Sequence, residues 1–361
     1  MMAGFAGRAG AVGDPPQHYG NPLGEQRELA AGRAIVDLSD HGVVALSGPD
    51  RLSWLDSITS QSVDHLKPGG SAETLLLDPN GRIEHAMRVL DDGETTWLLV
   101  DAGEAAPLAA WLDRMRFMLR VEVADRSAEF ATIGYFEAVP AGFETAFGLL
   151  DQRLVWSDPW GAGVAEGGWQ YATGVHPAVD WNWREAIVER DRLGVLDDVP
   201  AAGSLAAEAL RIAAWRPSFA REVDERSIPH ELDWLRSAVH LSKGCYRGQE
   251  TVAKVHNLGH PPRRLVFLHV DGSDHLVPEH GDTVVLAGTD DAVGTVTSGA
   301  MHWELGPIAL AVVKRTVDPS AALEIRTQGA SLAAAQEVVV PPGAGATADV
   351  PRLPRIGAVR R

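Results

Sequence analysis

The densest chemistry in the chain lies at 243–250, where Lys243, Gly244, Cys245, Tyr246, Arg247, Gly248, Gln249 and Glu250 bring together a thiol, two cations, a phenol, an amide and a carboxylate. Cys245 is the only cysteine among 361 residues, so no internal disulfide can form. Glycines on either side of it permit backbone conformations closed to other residues, and the spacing predicts a tight, exposed turn. Cations at 243 and 247, with a helix opening at 248–250, would stabilise a thiolate. Such a thiol is a nucleophile or a soft metal ligand. An isolated cysteine is more often a small buried apolar residue. Here charged, glycine-rich flanks replace the apolar periodic run that a buried cysteine would need.

The elements that must position this turn follow from patterning. The chain is long enough for two or three domains with a substantial core. No apolar run approaches the ~18 residues of a membrane span and the start lacks a signal-peptide stretch, so a soluble, cytoplasmic protein is expected. The net charge of -17 opposes non-specific contact with nucleic acid or anionic lipid. Residues 243–264 depart from it, with Lys243, Arg247, Lys254, Arg263 and Arg264 against Glu250 alone. That window is either a seat for a small anion or a solvated basic loop.

Residues 1–32, rich in Gly, Ala and Pro, are expected to form a mobile tail. Two short strands at 35–38 and 43–46 flank a turn, and Asp50 is placed to cap a helix carrying Leu52, Trp54, Leu55 and Ile58. Asn80-Gly81 marks a hairpin between strands at 74–77 and 83–90; a strand at 95–100, an amphipathic helix with Pro107 in its first turn and a strand at 121–123 follow. This order indicates an α+β domain on a largely antiparallel sheet over 33–130. A second α+β unit is expected over 131–260, with strands at 132–136 and 154–156 and a helix at 205–213. Its tryptophans (156, 160, 169, 181 and 183) suit core packing or stacking on a flat ring. Short alternating strands at 264–270, 283–286, 293–297, 308–313 and 323–326 predict a small β-barrel over 261–341, and 342–361 reads as a mobile basic tail.

The segment at 243–250 resembles the K-G-C-Y-x-G-Q-E signature of the YgfZ family, folate-binding proteins implicated in maintaining iron-sulfur enzymes and related to the glycine-cleavage T-protein, an aminomethyltransferase. The resemblance runs over about 33–341 and is weakest in the middle. It is carried also by Asp37-Leu38-Ser39, Ser47-Gly48-Pro49-Asp50, Leu77-Asp78-Pro79-Asn80-Gly81, Glu208-Ala209-Leu210-Arg211-Ile212 and, in the barrel, the 294–299 stretch with Leu305-Gly306. It implies a T-protein-like folate-binding α+β fold with mostly antiparallel sheets plus a C-terminal β-barrel. It also implies tetrahydrofolate or a one-carbon derivative as cofactor and iron-sulfur client or assembly proteins as partners, with neither direct nucleic-acid nor membrane contact. Cys245 would be the essential thiol. Lys243 and Arg247 would bind folate carboxylates or lower the thiol pKa, Tyr246 would stack or hydrogen-bond, and Gln249 and Glu250 would fix the turn. Arg211 would hold the folate glutamate tail or hold the pocket together. Some relatives carry tryptophans near the positions of His41 and Ala207 as folate contacts; His41 could stack in that role.

Two other mechanisms compete. The T-protein is similar in fold, but its acidic pair falls here on His85 and Ala86 and its helix glutamate on Ala213, and an amine-bearing substrate needs carboxylates. A thiol- or metal-dependent enzyme would pair Cys245 with His240, His256 or His260, at spacings that match no compact zinc pattern.

Overall fold

The structure, a computed structural model, describes residues 4–137, 142–143, 146, 154–273 and 276–348. Short apolar runs, several of them buried along almost their whole length, build two five-stranded sheets and a barrel. The first sheet has the order β3-β4-β5-β2-β6, all antiparallel, from β2 (Gly42–Ser47), β3 (Gly70–Leu77), β4 (Ile83–Asp91), β5 (Thr95–Val100) and β6 (Glu122–Asp125). The second has the order β10-β1-β7-β9-β8, from β1 (Ile35–Asp37), β7 (Phe130–Phe136), β8 (Val155–Ser157), β9 (Trp183–Glu189) and β10 (Ala201–Ala202). Only the β1–β10 pair is parallel.

The strands expected at 35–38 and 43–46 both form, yet they join different sheets, so β1 leaves the N-terminal block and pairs with β7 and β10. The Asn80-Gly81 hairpin joins β3 to β4 as expected. Asp50 stands at the start of the helix Arg51–Ile58, but its carboxylate accepts from the Arg120 backbone N–H and guanidinium instead of capping. Strands β9 and β10 add to those read in the sequence.

The third unit is a closed barrel of order β11-β14-β13-β12-β15-β16, from β11 (Arg263–Val270), β12 (Thr283–Leu286), β13 (Ala292–His302), β14 (Gly306–Lys314), β15 (Leu323–Arg326) and β16 (Ser331–Val338). The first five were expected; the sixth closes it. A single apolar core runs through Leu38, Leu75, Trp156, Trp234 and Phe267 and so joins both sheets to the barrel.

The N-terminal stretch is corrected. Pro22–Ala30 is a helix capped by the Asn21 side chain, which accepts from the Gly24 N–H, and Leu29 is fully buried. Gln26 reaches the barrel, donating to the Met301 carbonyl and accepting from the Trp303 N–H. These anchors are polar and paired far along the chain, so apolar periodicity does not register them. Of the C-terminal stretch, 342–348 lies against the helix Gln249–Leu258, with Thr347 N–H donating to His256 O; 349–361 lies outside the described residues. Among the described residues no helix is long and apolar enough to cross a membrane.

Candidate functional site

Where the two sheets meet the helix Ser204–Ala213, a cavity of about 600 Å³ opens, a size suited to a small-molecule ligand. Its wall holds Ala86 and Arg88 from β4, Asp101 just beyond β5, Glu185 from β9, and Ala207 and Arg211 from the helix. The β4–β5 ladder ends where Arg88 pairs with Leu99, and Asp101 follows just beyond it. Asp101 accepts from Arg88 Nη1 at 3.0 Å, from the Ser218 hydroxyl at 3.1 Å and from the Ala220 N–H at 2.9 Å. Burial alone would raise its carboxyl. Arg88 and the Ala220 N–H outweigh burial and hold it well below the usual carboxylate range. Arg88 also donates to His41 Nδ1 at 3.3 Å, and its Nε lies 3.2 Å from Glu185 Oε2. With Nδ1 accepting, the His41 proton sits on Nε2.

Arg211 lines the cavity but offers it nothing. Its Nε and Nη2 grip Glu208 at 2.8 and 2.6 Å, Nη1 donates to the Arg216 carbonyl at 2.5 Å and to Glu222 at 2.9 Å, and Nη2 donates to Ser298 Oγ at 2.7 Å. All five guanidinium N–H groups are thereby occupied. Of the two roles expected for Arg211, the geometry fits holding the pocket together and leaves no donor for a glutamate tail. The arginine missed in the sequence is Arg221, exposed at the cavity wall in the short helix Phe219–Glu222; among the described residues its guanidinium makes no hydrogen bond or salt bridge, though its charge is felt by Glu208.

Cys245, Lys243, Tyr246, Arg247, Gln249 and Glu250 do not line the cavity. They form a separate turn packed on the β3–β4 hairpin. Gly248, at φ 85° ahead of the helix Gln249–Leu258, sits so close that a Cβ there would meet Asp78 O at 2.7 Å and Gly81 Cα at 3.0 Å. The two motifs that stand out in the sequence are thus adjacent in space.

Cys245 is exposed. The Lys243 side chain is buried, with Nζ donating to the carbonyls of Asp56, Thr59 and Gln61 at 2.6, 3.0 and 2.7 Å and lying 3.0 Å from Asp56 Oδ1. A cation there satisfies the open carbonyls at the end of the helix Arg51–Ile58. Burial pulls its pKa down, with Asp56 opposing. Tyr246 is buried, and burial pushes its phenol up. Arg247 pairs with Glu84 and lies over Trp111. Gln249 Nε2 donates to the Lys243 and Gly244 carbonyls, fixing the turn as expected, while Glu250 is exposed. The expected folate contacts of Lys243 and Arg247 are corrected on this ground: their charges are directed at partners outside the cavity.

The histidines considered beside Cys245 point to separate partners: His240 accepts from the Ser242 N–H, His256 lies 3.3 Å from the Tyr171 hydroxyl, and His260 lies 2.8 Å from the Ala344 carbonyl. Among the described residues no three His, Cys, Asp or Glu side chains gather as a metal site requires. His85 pairs with Glu104 at 2.8 Å, away from the cavity.

Residues 16–135 match the GCVT N-terminal domain and residues 263–342 the glycine cleavage T-protein C-terminal barrel domain. The chain is 27% identical over 335 residues to an aminomethyltransferase of Moorella thermoacetica, covering 87% of each chain. It is 29% identical over 315 residues to one of Geobacillus kaustophilus, covering 81% of this chain and 82% of that one. The glycine cleavage system aminomethyltransferase T of Bartonella henselae superposes with a TM-score of 0.71 at 19% identity, over 94% of this chain and 96% of that one, which is a likeness of fold.

Proposed function

Starting from this chain's standing as a relative of the glycine-cleavage T-protein, we propose that it binds tetrahydrofolate or a one-carbon derivative in the central cavity and serves the assembly or repair of iron-sulfur enzymes through Cys245. The observation that carries the folate half is the cavity itself, with an aromatic wall, an ionised carboxylate at Asp101 and an unpaired arginine at position 221. Asp101 and His41 suit the hydrogen-bonding edge of a pterin, and Arg221 suits the glutamate tail.

The thiol half rests on the resemblance of 243–250 and is supported by the exposure of Cys245 on a turn that its neighbours hold rigid. Thiolate is the natural ligand of iron-sulfur clusters, and a single one acts on a shared cluster or by redox exchange with a partner. Because the thiol turn and the cavity are lined by different residues, the two halves separate experimentally. In a deletion strain, iron-sulfur enzyme activity is restored by the wild-type chain and not by Cys245→Ser. Full restoration by Cys245→Ser contradicts the thiol role.

A second reading, a folate-dependent aminomethyltransferase, is favoured by one observation. Ala86 occupies the position expected of an acid, yet Asp101, just beyond the neighbouring strand β5, lines the same cavity. Formation of methylenetetrahydrofolate from an aminomethyl donor, lost in Asp101→Asn, would favour that reading over the accessory role.

A further inference from the structure

Two tryptophans on the cavity wall are held by the same arrangement, repeated. Trp181 Nε1 donates to Asp158 Oδ2 at 2.8 Å, and Arg216 Nε donates to that same oxygen at 2.9 Å. Trp183 Nε1 donates to Glu185 Oε1 at 3.2 Å, and the other oxygen of Glu185 faces Arg88 Nε at 3.2 Å. Each indole is thus tied to a buried carboxylate whose charge a buried arginine balances. The two rings stack on one another, with centroids 5.6 Å apart and planes 20° apart. Phe136, which does not line the cavity, packs edge-on against both at 5.3 Å.

Space has been cleared for the pair. A Cβ on Gly134 would meet Trp183 Cζ2 at 2.1 Å, and one on Gly161 would meet the Trp181 carbonyl oxygen at 1.7 Å. With both indole N–H groups occupied, the pair keeps no polar atom for a ligand. What it presents to the cavity is flat, apolar and electron-rich, fixed in orientation before anything binds.

We infer that Trp181 and Trp183 form the wall against which the planar ring of the ligand lies, with Asp158 and Glu185 as positioning residues for the two indoles. This assigns the face of the ring to β9 and the segment before it, and leaves its hydrogen-bonding edge to Asp101 and His41 and the tail to Arg221. The inference rests on the folate reading and deepens it, because it predicts which part of the ligand each wall reads.

The test titrates three probes into the full chain: tetrahydrofolate, a tetrahydropterin that carries the ring alone, and p-aminobenzoylglutamate, which carries the tail alone. Trp181→Leu and Trp183→Leu are expected to weaken tetrahydrofolate and the tetrahydropterin by roughly tenfold and to leave p-aminobenzoylglutamate unchanged. Glu185→Gln and Trp181→Phe keep ring-sized volume or hydrogen-bonding capacity and hold the test if a leucine variant does not fold. Glu185→Gln is expected to shift the ring-to-tail affinity ratio by a few-fold, which a merely stabilising role would not do. Folded tryptophan variants that bind the tetrahydropterin with wild-type affinity overturn the inference while the folate reading stands. A wild-type chain that binds none of the three probes overturns the folate reading and leaves the pair as interior packing.

Discussion

The carboxylate at Asp101 and the guanidinium of Arg88 set the chemistry of the cavity, because both are half-buried and paired at 3.0 Å. Asp101→Asn removes that pair and weakens its charge-assisted hydrogen bonds but leaves Glu185 facing Arg88, so the cost is that of a charged hydrogen bond and not of an uncompensated buried charge. Asp101→Asn is therefore expected to lower unfolding stability by about 2 kcal/mol at neutral pH. The pH dependence follows from the sign of the shift. A carboxyl held below its usual range contributes stability that is fully present above its unfolded pKa near 4, and is lost only as pH falls through the lower folded value. Urea titrations should find the wild-type and Asp101→Asn difference constant from pH 5 to 8 and shrinking below pH 4. A difference that vanishes between pH 5 and 7 contradicts the assignment. Asp101 was hard to read in the sequence because its partners are distant: Arg88 lies on another strand and Ala220 more than a hundred residues on. Its one local mark is that it closes the apolar strand β5. The choice between the two roles expected for Arg211 was hidden for the same reason, since Glu222 and Ser298, which occupy its N–H groups, come from a later helix and from the barrel.

At the scale of elements, the thiol turn is held from below by the helix Arg51–Ile58. Lys243→Met would strip three backbone carbonyls of their shared donor and leave Asp56 with the Val63 N–H as its remaining partner, with an expected loss of about 3 kcal/mol. Cys245→Ser, on an exposed side chain, should change stability by less than about 0.5 kcal/mol. Chemical denaturation of the two variants checks this; equal stabilities would mean that Lys243 is not the clamp described. Short apolar runs bounded by turns were legible, as the barrel strands β11, β12, β14 and β15 illustrate. Strand β9 was not, because Trp183, Glu185 and Ile187 are all buried and an interior glutamate erases the apolar pattern until Arg88 is known to face it. Strand β16 was missed because its inward positions run Leu332, Ala334 and Gln336, and a small alanine followed by a glutamine carries little hydrophobic signal.

Across the whole molecule, the two sheets, the helix Ser204–Ala213 and the barrel are fastened around one cavity. Arg211 ties Glu208 on that helix to Glu222 and to Ser298 on β13, while Trp181 and Trp183 line the same cavity. The fold class was legible from the order of strands, helices and turns together with the 243–250 signature. The composition of the cavity was not, since it is assembled from residues between 17 and 234 that meet only on folding. The central claim, that this cavity takes a reduced folate, is tested most directly by calorimetric titration of tetrahydrofolate into the full chain and into Asp101→Asn and Arg221→Ala. Saturable one-to-one binding is predicted, weakened about tenfold in each variant by loss of a charge-assisted contact. No saturable heat in the wild-type chain, or equal affinity in all three, would contradict it.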